Sequence, residues 1–157
     1  MKPTIIALAF ALLVTSCERA VVVAPPAEQK AVAELAWLTD FDAARAKARA
    51  ENKLLLIDFT GSDWCPPCKM LKREVFSQPE FAEYAAEKLV LLEVDFPREK
   101  AQSEEQKEAN RILAQQFRIQ GFPTIVVLSP SGKILGELGY MRGGPRAFIA
   151  ELEKLRS

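Results

Sequence analysis

A chain of 157 residues with 49% apolar and 27% charged residues suits one globular domain with a real core, not two domains and not a disordered or fibrous chain. Lys plus Arg and Asp plus Glu both number 21, so the net charge is zero and, with no basic block, the sequence argues against a nucleic-acid partner. There is no histidine, which excludes Ser-His-Asp and Cys-His catalysis and zinc sites built on imidazole, and three cysteines are too few for a disulfide-stapled scaffold.

The first segment reads as an address. Met1 and Lys2 precede a short apolar run from Ile5 to Val14, about half the length of a membrane-crossing helix, and small residues follow. That order predicts a secretory signal peptide over residues 1–16. Val14-Thr15-Ser16-Cys17 resembles the lipobox of bacterial lipoproteins, which implies cleavage before Cys17 and a diacylglyceryl group on its sulfur. Several acyl chains on one residue suffice for stable anchoring. A lipidated Cys17 leaves Cys65 and Cys68 as a pair. Residues 17–34, with Pro25, Pro26 and small side chains, predict a tether, and an edge strand at Val21 to Val23 is the alternative reading. The folded domain is expected over residues 35–157.

From Trp37 the pattern alternates between helix and strand. Asp40 can cap a helix running to about Glu51. Leu54-Leu55-Leu56-Ile57, within 53–59, has the continuous apolar character of a strand buried on both faces. A helix is expected from Cys65 to about Phe76, and another, capped by Ser77 and with Pro79 in its first turn, to Lys88. Leu89 to Asp95 predicts a second buried strand. Ser103 with Gln106 resembles a capping box for a helix to Phe117. Thr124 to Leu128 and Lys133 to Leu138, joined by Ser129-Pro130-Ser131-Gly132, predict a hairpin. Gly144-Pro145 opens a last helix with Phe148, Leu152 and Leu155 on one face. Crossovers first and a hairpin last imply an α/β fold with a mixed central β-sheet and helices on both faces.

The chemistry is concentrated at Trp64-Cys65-Pro66-Pro67-Cys68. Two cysteines three apart at a helix start lie within disulfide reach, and the unpaired N–H groups and positive dipole end there favour a thiolate at Cys65. Pro66 and Pro67 are tolerated in a first turn, stiffen it, and remove two donors that could have stabilised the thiolate. A metal site would need two more ligands, and a purely structural disulfide would close a small loop for little gain. Redox use is the expectation, with no cofactor.

The run Asp58-Phe59-Thr60-Gly61-Ser62-Asp63-Trp64-Cys65-Pro66-Pro67-Cys68-Lys69 resembles the active-site segment of the thioredoxin family, and Gly121-Phe122-Pro123-Thr124 resembles its second signature, whose proline is cis. The resemblance extends over about residues 37–155, and more narrowly it is to secreted thioredoxin-like proteins of Gram-negative bacteria. It implies a thioredoxin-like fold and thiol–disulfide oxidoreductase activity. Cys65 would attack the substrate, and Cys68, more buried, would resolve the mixed disulfide. Asp58 would assist deprotonation of Cys68, with a carboxyl whose pKa burial raises. Trp64, Phe122 and Pro123 would contact the substrate peptide. Two positions depart from the family pattern. Asp58 lies seven residues before Cys65, one more than usual, which puts its aim at Cys68 in question. The family's partner lysine on the neighbouring strand is unmatched, Leu91 being expected there. Glu93 reads as polar strand surface or a substitute proton carrier.

The implied setting is the cell envelope, facing the periplasm, with exchange partners among exported protein thiols and disulfides and a membrane electron donor. Reduction of substrates is the leading direction. Disulfide oxidation or isomerisation, and a non-catalytic binding module, are the alternatives. Glu18 after the lipid-bearing cysteine leans towards the outer membrane by resemblance to enteric lipoproteins.

Overall fold

The computed structural model describes residues 35–156. The signal peptide, the tether with its Val21–Val23 alternative, and Cys17 lie outside the described residues.

Five strands form one mixed sheet in the order β1-β3-β2-β4-β5. β1 (Trp37–Leu38), β3 (Leu89–Asp95) and β2 (Leu54–Thr60) run parallel, while β4 (Thr124–Leu128) and β5 (Ile134–Leu138) add on antiparallel. The central strands are the ones read as continuous apolar runs. β2 is buried along its whole length, because helices cover both faces and β3 and β4 flank it.

Helix ends follow local chemistry. In α1 (Phe41–Glu51) the Asp40 carboxylate accepts the Ala43 N–H at 2.7 Å, and Asn52 closes the helix in the left-handed region. α4 (Glu104–Gln116) starts where Ser103 Oγ accepts the Gln106 N–H. The Gln106 side-chain NH2 donates to Thr39 O and Asn110 Oδ1, and no bond from the Ser103 N–H to Gln106 Oε1 completes the expected capping box. The Ser129–Gly132 turn joins β4 to β5, with Gly132 at φ 88°.

Two expectations are corrected and one strand is added. The helix that starts after Cys65 is regular only over α2 (Pro66–Leu71), then widens into a π turn over Lys72–Phe76, where the Ser77 N–H bonds Lys72 O. Ser77 therefore ends that turn, and α3 (Pro79–Lys88) starts from Gln78 without a side-chain cap, Pro79 supplying the preset first turn. β1 adds a short edge strand held by two register pairs to β3. α5 (Gly144–Arg156) buries Phe148 and Leu152 as its spacing predicts.

The alternation of side chains across the sheet divides the core. Leu55, Ile57, Phe59, Val90, Leu92 and Val94 face α1 and α4. Leu54, Leu56, Leu89 and Leu91 face α2, the π turn, α3 and α5, where Leu71, Val75, Phe81 and Phe148 meet them. Each such side chain contributes about 1.5–3 kcal/mol by leaving water. On this second face the β2–β3 rungs change character along the strands. Leu54–Leu89 and Leu56–Leu91 are apolar, whereas Asp58–Glu93 and Thr60–Asp95 are polar. The change occurs at the carboxyl ends of the strands, beneath α2.

Candidate active site

The turn from β2 into α2 is built by four neighbours in sequence. The Trp64 and Cys65 N–H groups both donate to Gly61 O. Ser62 donates its N–H and hydroxyl to the Asp95 carboxylate at the end of β3. The Asp63 carboxylate accepts the N–H groups of Arg98, Glu99 and Lys100, pinning the loop after β3 to the turn. Partial desolvation raises the Asp63 carboxyl, but these backbone donors outweigh it and hold the group down at about 2. The Trp64 indole N–H donates to Phe96 O at 2.8 Å, and the Arg98 guanidinium lies 3.8 Å over its ring. Gly61 gives that ring its seat, because a Cβ there would come within 2.5 Å of the indole.

Cys65 is the N-cap of α2 and is joined by a disulfide to Cys68, one turn in, with Cα atoms 5.3 Å apart. Pro66 and Pro67 have no N–H, so the first donor of the helix is that of Cys68, and it points at Cys65 Sγ at 3.3 Å. The expected difference in burial is absent. Cys65 is 3% exposed and Cys68 4%, because the Cys65 side chain turns back over the first turn of the helix.

Behind Cys68 lies a cavity of about 330 Å³ whose walls include Asp58, Glu93, Lys69, Lys72 and Trp37. With the extra residue between Asp58 and Cys65, both Asp58 and Cys68 line this space. The residue beside Asp58 is Glu93, and Leu91 pairs with Leu56 instead. Register, which depends on residues far apart in sequence, decides this. Burial pushes the Asp58 carboxyl up to about 8, with the negative charges of Glu93 and Asp95 adding to it and Lys72 opposing. Burial also raises Glu93, against the opposing charges of Lys72 and Lys100, with Asp95 adding to the rise.

The Phe122–Pro123 peptide bond is cis, as the resemblance implies. The Phe122 ring meets Trp64 edge-on at 6.0 Å and stacks on Phe96 at 5.1 Å. Pairing of β4 with β2 ends at Thr124, so the Phe122 backbone extends beyond the ladder. Asp63 and Lys72 had no expected role in sequence. The only signal for Asp63 was its place between Ser62 and Trp64, and its partners lie beyond β3. Among the described residues no group of three or more His, Cys, Asp or Glu side chains is placed to hold a metal.

Residues 41–156 match the family model for a thioredoxin-like domain. The chain belongs to the thioredoxin-like family. It is 33% identical over 123 residues to the disulfide bond reductase DsbH of Chlamydia pneumoniae, covering 78% of this chain and 74% of that one. The thioredoxin-related protein DsbJ of the same organism is 30% identical over 113 residues, which is 72% of this chain and only 32% of DsbJ. A solved DsbH oxidoreductase superposes with a TM-score of 0.76 at 31% identity, covering 83% of this chain and 90% of that one. A thioredoxin from Thermus thermophilus superposes at 0.55 with 26% identity, covering 78% and 85% respectively. With its paired cysteines at a helix start, this family member is a thiol–disulfide oxidoreductase.

Proposed function

We propose that this protein reduces disulfides in exported proteins from a position on a membrane of the bacterial envelope. In this reading residues 1–16 are removed on export, a lipid on Cys17 holds the chain, residues 17–34 are the tether, and the redox domain occupies 35–157. The observation that carries the reading is the Cys65–Cys68 disulfide at the start of α2, with the buried Asp58 behind it in the same cavity. The likeness to a disulfide bond reductase supports the reducing direction.

In the reduced protein the Cys65 thiolate, favoured by the Cys68 N–H and the helix dipole, attacks a substrate disulfide and releases one substrate sulfur as thiolate. Cys68 gives its proton to Asp58 and attacks Cys65 Sγ. The Cys65–Cys68 bond forms, the second substrate sulfur leaves, and two electrons have passed to the substrate. Trp64, Phe122 and Pro123 form the rim that receives the substrate peptide. A membrane donor returns the two electrons.

The test is the reduction potential of the Cys65–Cys68 couple, read by counting alkylated cysteines after equilibration in thiol buffers. We expect a value towards the thioredoxin end, about −270 mV, whereas one near −120 mV, about that of a strong oxidant, would overturn the direction. Cys65→Ser should abolish reduction of a protein disulfide. Retained cellular function in that variant would point to a binding module instead.

A further inference from the structure

Asp58 and Glu93 are cross-strand neighbours on parallel strands, the first polar rung above two leucine rungs. Adjacent strands lie about 4.8 Å apart, so the carboxyl groups of such a pair are within direct electrostatic reach. They are unequally placed. Asp58 is 7% exposed, and its Oδ1 is buried with no hydrogen-bond partner among the described residues. Glu93 is half-buried, and the pairing of β1 with β3 stops one residue short of it, at Leu38–Leu92. A buried ionised carboxylate without donors is costly, so the two groups are not both comfortably charged.

The surroundings divide by element. β2 offers only Asp58, and β4 places Ile125 beside it. β3 adds Asp95, which is occupied by Ser62, and the following loop adds Lys100, which donates to Ser62 Oγ. α2 and the π turn bring Lys69 and Lys72 to the facing wall of the cavity, along with Cys68. Lys72 is exposed, so its removal costs the fold little.

We propose that Asp58 and Glu93 hold one proton between them, that Lys72 sets how tightly they hold it, and that the pair conducts the Cys68 proton to solvent. While Glu93 carries the shared proton, Asp58 is free to accept the proton of the Cys68 thiol. The thiolate then attacks Cys65 Sγ, and Glu93 releases a proton on the open side of the sheet. One proton enters at Asp58 and one leaves at Glu93, so the pair returns to its starting state. Glu93 and Lys72 act through Asp58 and are positioning residues. The inference rests on Cys68 being the resolving thiol.

Two readouts on the full chain test it, in a Cys17→Ser background so that only the pair reacts. The first is the carboxyl-carbon NMR titration of Asp58 in the disulfide form, where neither cysteine titrates. A shared proton gives two inflections in the unaltered site. Glu93→Gln should leave one inflection, moved down by about one pH unit from the upper one, and Lys72→Met should move the upper one upward. The second is the rate at which Cys68 expels an aromatic thiolate from a mixed disulfide on Cys65, followed by absorbance against pH. Its rising limb should shift in the same two directions. A single, unmoved Asp58 titration, or a rate lowered equally at every pH, would overturn the inference. If Glu93→Gln does not fold, Lys72→Met alone decides, since an unmoved titration there also overturns it. Should Cys68 expel no thiolate at any pH, its resolving role falls, while the NMR titration still decides the carboxyl pair.

Discussion

The two faces of the central sheet share their strands and differ in what they are asked to bury. Towards α1 and α4, β2 and β3 present Leu55, Ile57, Phe59, Val90, Leu92 and Val94, and every one is buried against carbon. Towards α2, the same strands begin with leucines and finish with Asp58, Glu93, Thr60 and Asp95. The first face is what a fold needs. The second gives up apolar contact where Cys68 sits, and holds a carboxyl in a place where its charged form is disfavoured. In the proposed mechanism this group takes up and releases the Cys68 proton near neutrality, so there the cost to stability and the use in chemistry have one origin.

Three substitutions sharpen this comparison, in descending order of effect. Phe59→Ala on the apolar face should lower the unfolding free energy by about 3–5 kcal/mol in denaturant titrations, at any pH where the protein folds. Asp58→Asn on the polar face should act in the opposite sense and depend on pH. The folded pKa of Asp58 lies near 8, above its value in the unfolded chain, so the folded protein binds the extra proton. Stability therefore falls as pH rises from about 4 to about 8, and the variant should escape that fall. Its gain over the parent grows through that window, accompanied by slower resolution of mixed disulfides. Asp63→Asn should have the smallest effect. Its folded pKa is depressed to about 2, so its contribution is present above the unfolded value and is lost as pH falls through the folded one. Acid unfolding followed by circular dichroism should show that loss in the parent and not in the variant.

These contrasts also mark what the sequence could disclose. The apolar runs of β2 and β3, the Asp40 cap and the Ser103 start are local patterns, and local patterns are legible. Cys65, Cys68, Trp64 and Pro123 lie in short motifs and were legible as candidates. β1 was not, since two residues have no periodicity. The π turn was not either, because the hydrophobic spacing of Leu71, Val75 and Phe76 suits an ordinary helix equally well. Glu93 was visible as a polar residue in an apolar strand, but its pairing with Asp58 is a matter of register across 35 positions. The grip of Asp63 on residues 98–100 depends likewise on a loop returning from far along the chain.

One consequence of the packing around the cysteines is optical. The chain has two tryptophans. Trp64 directly precedes Cys65 and lies under Arg98, and Trp37 lines the same cavity as Cys68. A disulfide beside an excited indole drains its emission, and a dithiol does so less. The ultraviolet fluorescence of the protein is thus expected to brighten on reduction without any attached dye. A partner that lifts Arg98 from the indole would alter the same signal, so electron transfer and docking can be followed together in one cuvette.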